Sequence, residues 1–258
     1  VAALELPADR VDLWYTRVEP WEPEESRRRF WGWLDERERA TWERYRPPAR
    51  KHLYLIAHAL VRRVLSLYGD SIEPSEWQFA VAPGGKPEVV GPGGFAVRFN
   101  LSHTNGLAAV GVTRWRRLGV DVEAGKAPET MLALARRFFA ASEVAELEGY
   151  PAAEASQIAL EVWTLKEAFM KGVGLGMALS PRRFAFDVRA GRPWRLVATG
   201  LDSEQAEGWT FATALLGGVR LAVAVEGRLA EPLLVRQLGP ANWDVAGNLG
   251  GWSDPPHG

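Results

Sequence analysis

The order of patterns in the first half of the chain recurs in the second, and that recurrence limits the fold more than any other feature. An alternating segment, "VDLWYTRVE" (residues 11–19), leads into a Trp- and Arg-rich run with helical spacing. Next, "ARKHLYLIAHALVRRVLSLYG" places Leu53, Ile56, Leu60, Val64 and Leu67 at steps of three and four ahead of Gly69, which predicts an amphipathic helix with a glycine stop. Strand–turn–strand patterns follow in "WQFAVAPGGKPEVV" and "GFAVRFNLSHTNGLAAVGVT". After the strand "RLGVDVE" the series begins again, with helical patterns at 128–150 and 154–171, a glycine-rich break, and strands at "FAFDV", "WTFATAL" and "VRLAVAVEG". An echo between "NGLAAVGV" and "GVRLAVAV", each a glycine before a small-residue β run, ties the halves together.

This predicts an α+β fold with a pseudo-two-fold arrangement of two similar halves, each a small antiparallel sheet packed on helices. The expected boundaries are 1–113 for the first half and 114–230 for the second, with the join near 114–118. The tail at 231–258, rich in Gly, Pro, Asn and Asp, reads as loop or disorder. A site at the seam between halves is the natural expectation.

With 47% apolar residues and a net charge of −1, the chain can bury a core but has no general attraction to nucleic acid or to an anionic membrane. Cysteine is absent, and His52, His58, His103 and His257 are scattered, so any metal should be a hard one held by oxygen. No apolar run approaches the roughly 18 residues of a membrane span, and the start lacks the layout of a signal peptide. A cytoplasmic protein is expected.

The chemistry concentrates in two stretches. In "GVDVEAG", Asp121 and Glu123 lie two apart on a strand and share a face, while Val120 and Val122 point to the core. Two adjacent carboxylates repel unless a cation lies between them; taken alone, though, such a pair more often marks a solvated strand end. In "WTLKEAFMKGVGLGM", Glu167 and Lys171 are four apart on a helix. An ordinary surface salt bridge would look the same, but the run Gly172-x-Gly174-x-Gly176 costs backbone entropy and implies a close backbone approach. Glu167 beside Asp121 and Glu123 would make an all-oxygen site with room for water and phosphate, suited to Mg²⁺.

Together, "GVDVE" and "WTLKEAFMKGVGLG" resemble the Sfp-type 4′-phosphopantetheinyl transferases, whose signature runs G-[IV]-D-[IV]-E and then W-[ST]-x-K-E-[AS]-x-x-K-x-x-G-x-G. The resemblance extends to "GGKPEV", "FNLSHT" and "RRFFAASEV", in the family's order over about residues 37–188. It implies transfer of the phosphopantetheine arm of coenzyme A to a serine of an acyl or peptidyl carrier protein, with release of 3′,5′-ADP, in fatty-acid, polyketide or nonribosomal-peptide assembly. It also implies Mg²⁺ or Mn²⁺ on Asp121, Glu123 and Glu167, Lys171 at the leaving group, and Glu167, directly or through water, as base. Gly85, Lys86, Pro87, Ser102, His103 and Lys166 would bind coenzyme A; taken alone, His103 is more often a satisfied core or turn histidine. The pocket for the 3′-phosphate departs from the family: Leu53 and Tyr54 stand where Sfp itself has an Arg and a Thr, leaving Arg39, Arg44, Arg50 and Lys51 as candidates, unless they simply form a solvated helix face. Phe138 and Phe139 belong either to a carrier-docking surface or to the core. Length favours a monomeric pseudodimer. The competing reading is a relative that binds coenzyme A or a carrier without transfer. Because a strand-end carboxylate paired only through metal does little for stability, Asp121→Ala is expected to abolish transfer and spare the fold.

Overall fold

The computed structural model describes residues 3–82, 84–91, 97–188, 194–201, 206–229 and 233–244. The first half runs β1 (Val11–Arg17), α1 (Pro23–Phe30), α2 (Glu36–Arg44), α3 (Pro48–Tyr68), β2 (Gln78–Val81), β3 (Pro87–Gly91), β4 (Val97–Thr104) and β5 (Leu107–Arg114). The second runs β6 (Leu118–Ala124), α4 (Pro128–Phe138), α5 (Ala141–Leu147), α6 (Ala152–Val173), β7 (Phe184–Phe186), β8 (Leu196–Thr199), β9 (Trp209–Leu216) and β10 (Val219–Glu226). Each half is thus a strand, two short helices, a long helix and two hairpins. The strand orders match as well, β1-β5-β4 and β6-β10-β9, and every pairing within these two triplets is antiparallel.

Four layers result. Leu13, Leu107 and Ala109 of the first sheet pack on Val120, Val122, Leu221 and Val223 of the second, forming a shared inner core. The opposite face of the first sheet buries Trp14, Val110 and Val112 under α3. That of the second buries Ala222, Ala224 and Phe211 under α6. Each fully buried Val, Leu or Phe contributes roughly 1.5–3 kcal/mol, so the long helices owe their stability to these faces.

Sequence and structure agree on α3, but its stop differs in kind. Gly69 keeps a negative φ and leaves the helix with an extended backbone, and what requires glycine there is the Trp77 ring, which an added Cβ would approach within 2.8 Å. The helix expected at 128–150 is broken at Phe139 and Ala140, which are extended. Phe139 turns into the core there, and the Glu143 carboxylate accepts the Ala140 N–H at the start of α5. Phe138 is half-buried with its ring 5.6 Å from that of Trp163.

The tail departs most from expectation. Leu234–Gln237 form β11, which pairs in parallel with β1 and extends the first sheet. Beyond it Trp243 is fully buried, with its ring 4.7 Å from Trp21 and 5.3 Å from Phe30. Apolar burial thus orders a segment whose composition reads as loop; residues 245–258 lie outside the described residues. No helix among the described residues is long and apolar enough to cross a membrane. Trp243→Ala should lower the unfolding free energy in urea by about 3–5 kcal/mol, as expected for deleting a core indole; an unchanged transition would show that the tail is not part of the core.

Candidate functional site

Glycine brings β6 and α6 together. A Cβ on Gly119 would overlap the Ala168 carbonyl and the Gly172 amide nitrogen, and one on Gly172 would meet the Trp209 ring. Gly174, at φ +86°, caps α6 in the left-handed conformation that glycine adopts at least cost. A Cβ on Gly84 would overlap the Gly174 carbonyl, so the turn between β2 and β3 rests on the end of α6 across the two halves. The glycine run read from sequence therefore serves close backbone contact.

That contact places α6 side chains over β6. The Lys171 ammonium is 2.7 Å from Asp121 Oδ1 and donates to Ser102 Oγ at 2.9 Å. Ser102 in turn donates to Asp121 Oδ1 at 2.9 Å. Asp121 is buried, and among the described residues its Oδ2 has no hydrogen-bond partner. Glu123 receives the Trp163 indole N–H at 3.0 Å and Lys126 at 2.7 Å. Burial, reinforced by the negative charge of Asp121 and, more weakly, of Glu123, pushes the Glu167 carboxyl up to about 7 against the opposing pull of Lys171. Three carboxylates are thus close enough to feel one another. They do not converge on one point, and among the described residues no group of three His, Cys, Asp or Glu could hold a metal ion as it stands. The donor set nevertheless suits a hard divalent cation, being all oxygen with one buried carboxylate oxygen left over.

Asp121 lies within β6 rather than at a solvated end, and it is bonded to Lys171 and Ser102. The expectation that Asp121→Ala spares the fold is therefore corrected: Ser102 would lose its acceptor and Lys171 its carboxylate partner. Lys166 is a second correction. Five residues from Lys171 on a helix is a net rotation of about 140°, which turns Lys166 away from the face of α6 that Lys171 occupies. There it is fully buried, 2.8 Å from Glu143, and donates to the Pro181 and Phe184 carbonyls at 2.9 and 2.6 Å. It cannot reach a ligand at the face that Lys171 occupies.

A groove runs from Lys171 into the first half. A cleft of about 200 Å³ is lined by Gly85, Lys86, Pro87, Asn100 and Lys171, among others. It shares Gly85, Pro87 and Leu101 with a pocket of about 320 Å³ lined by Arg37, Glu38, Thr41, Tyr54, His58 and Phe99. Lys86 donates to the Leu118 carbonyl at 2.6 Å, and burial lowers its ammonium to about 8. His103 keeps part of its ring accessible on β4; partial desolvation and the positive fields of His58 and Lys171 hold its pKa below the usual imidazole value. Arg50 is exposed and Lys51 lies 4.2 Å from the Trp42 ring centroid, both in the first turn of α3, and neither lines the groove.

Arg37, His58 and Asn100 are lining residues to which reading the sequence gave no role, while Tyr54, noted there as a departure from the family, lines the wider pocket. Two were signalled: His58 interrupts an apolar helix and Asn100 an apolar strand. His58 Nδ1 is 2.6 Å from Glu38 Oε1, and the Arg62 guanidinium is 2.7 Å from Glu38 Oε2. Burial alone would raise the Glu38 carboxyl, but these two bases outweigh it and hold it at about 2. A carboxylate depressed from 4.5 to about 2 adds roughly 3 kcal/mol of stability, present above pH 4.5 and lost as pH falls through 2. Urea unfolding of wild type and Glu38→Gln at several pH values should show a stability gap at neutral pH that closes on acidification; a gap independent of pH would overturn the assignment.

Residues 117–224 match the family model described as the 4′-phosphopantetheinyl transferase superfamily. HetI, a 4′-phosphopantetheinyl transferase of Nostoc sp., is 32% identical over 178 residues, 68% of this chain and 73% of that protein. A putative 4′-phosphopantetheinyl transferase of Synechocystis sp. is 33% identical over 145 residues, 56% of this chain but only 58% of the relative's own length. Among solved structures, a Helicobacter pylori holo-[acyl-carrier-protein] synthase in complex with coenzyme A aligns over 43% of this chain and 99% of its own, at 16% identity and a TM-score of 0.33.

Proposed function

Because the chain belongs to the 4′-phosphopantetheinyl transferase superfamily, a family of enzymes, we propose that it transfers the 4′-phosphopantetheine arm of coenzyme A to a serine of an acyl or peptidyl carrier protein, releasing 3′,5′-ADP. We place it in the cytoplasm, acting as a monomer whose two halves stand in for two subunits.

The observation that carries this reading is the crowding of Asp121, Glu123 and Glu167 against Lys171 at one end of the groove. Asp121, Glu123 and Glu167 would hold Mg²⁺ or Mn²⁺, Asp121 through its unpartnered Oδ2. When bound, such an ion draws charge from the pyrophosphate of coenzyme A. The carrier serine oxygen forms a bond to the phosphorus that bears the pantetheine arm, and the bond from that phosphorus to the departing 3′,5′-ADP breaks. Glu167, directly or through a water, takes the serine proton. Lys171 leaves Asp121 for the departing phosphate and stabilises its charge.

Gly85, Lys86 and Pro87 form the wall against which the nucleotide lies; His103 donates to its phosphates, as does Ser102 once its one O–H turns from Asp121. Arg37 and His58 of the wider pocket receive the 3′-phosphate, with Arg50 and Lys51 adding positive field from the first turn of α3.

Incubation with coenzyme A, Mg²⁺ and a panel of acyl and peptidyl carriers should add the mass of the arm to at least one. No mass gain on any carrier would refute the transferase, and tight coenzyme A binding without transfer would make the chain a binding relative. Lys171→Met should lower kcat roughly 100- to 1,000-fold with a smaller change in KM; a KM effect alone would remove Lys171 from the chemical step. Asp121→Ala should abolish transfer and also cost about 1–3 kcal/mol in urea unfolding, because Ser102 loses its acceptor and Lys171 its carboxylate partner. An unaltered transition would restore the view of Asp121 as a solvated strand end.

A further inference from the structure

β4 and β6 are the facing edges of the two sheets, and among the described residues no backbone ladder joins them. Side chains take the place of the missing strand partner. Lys86 donates to the Leu118 carbonyl at 2.6 Å, and Lys171 to the Val120 carbonyl at 3.4 Å. Asn100 Oδ1 accepts the Val120 N–H at 2.7 Å, and Ser102 Oγ accepts the Val122 N–H at 3.3 Å. The two N–H groups that flank Asp121 are therefore both fixed by side chains of β4.

Of these four residues, Lys86, Lys171 and Ser102 have polar heads with uses in the groove. Asn100 is the one neutral amide, 4% exposed, on a strand that also buries Val97 and Phe99. Burying a carboxamide costs free energy unless it is hydrogen-bonded, and a β-branched apolar residue would suit the strand better. Its bond to Val120 is also the shorter of the two that anchor the Asp121 segment, and Asn100 lines the cleft beside Lys171.

We propose that Asn100 is a positioning residue of the transfer site: by accepting the Val120 N–H it holds β6 at the spacing at which the Asp121 carboxylate meets Ser102, Lys171 and the cation. The proposal rests on the transferase reading above and adds to it a residue that acts through Asp121. Outer-shell partners of this kind typically govern about 10- to 100-fold in metal affinity or activity.

The test uses the full chain carrying Asn100→Leu, which keeps the shape without an acceptor, or Asn100→Asp, which keeps an oxygen acceptor for the same N–H. Thermal unfolding, calorimetric titration with Mg²⁺ alone, and kcat and KM for coenzyme A are measured on each. Asn100→Leu should stay folded, bind Mg²⁺ about 10- to 100-fold more weakly and lose kcat by a similar factor with little change in KM. Asn100→Asp should recover Mg²⁺ affinity. Wild-type affinity and kcat in a folded Asn100→Leu would overturn the proposal. Should Asn100→Leu fail to fold, Asn100→Asp decides: retained Mg²⁺ affinity supports the role, and a loss as large as expected for Leu overturns it. A wild type that binds Mg²⁺ but modifies no carrier sinks the transferase reading and leaves the Mg²⁺ comparison to decide on Asn100. A wild type that binds no Mg²⁺ overturns the metal assignment and the proposal with it.

Discussion

The free edge of β6 is the constraint around which the rest is arranged. A strand edge inside a protein presents N–H and C=O groups that must be bonded, and a neighbouring strand is the usual solution. Here β4 lies alongside but does not pair, and Lys86, Asn100, Ser102 and Lys171 satisfy the edge instead. A continuous sheet would close the space between the halves with backbone. Side chains leave it polar and bordered by a groove, with one charged head, Lys171, on the same carboxylate that faces Glu167.

Two features hold α6 against that edge. On the near side, glycines at 119 and 172 let helix and strand backbones touch, which fixes where Lys171 lands. On the far side, Lys166 and Glu143 form a buried pair whose remaining polar atoms are taken by Pro181, Phe184, Phe186 and Ala140. A pair this deep adds little net stability over an apolar substitute, but breaking it strands a charge. Its visible effect is to tie α5, α6 and β7 into one body, so that Glu167 and Lys171 project from a helix fixed on both faces.

Local periodicity made much of this legible. The two-residue period of a strand put Asp121 and Glu123 on one face, and the four-residue step put Glu167 and Lys171 on another; both relations need no knowledge of the fold. Repetition of pattern gave the two halves. What escaped depended on partners distant in sequence. Lys166 belongs to the same short motif as Glu167, yet its role is set by Glu143 and by carbonyls beyond the helix. Asn100 was visible as a polar residue in an apolar strand, but its meaning comes from an N–H twenty positions away. β11 is four residues long and pairs in parallel with a strand near the other end of the chain, an arrangement with no local turn to announce it.

That same short strand separates the order in which the chain is made from the order in which it is finished. Trp21 and Phe30 leave the ribosome early, but the indole that packs against both of them is Trp243, and the outer edge of the first sheet waits for Leu234–Gln237. Every strand of the second half is therefore synthesised before the first half can complete its core. The earlier half must persist meanwhile with an open sheet edge and an exposed aromatic hollow, the kind of surface that invites misassembly. The two halves, alike in pattern, are unequal as folding units: each has its own strand triplet to hand on synthesis, but the sheet of the earlier one waits for a fourth strand, β11, and closes last.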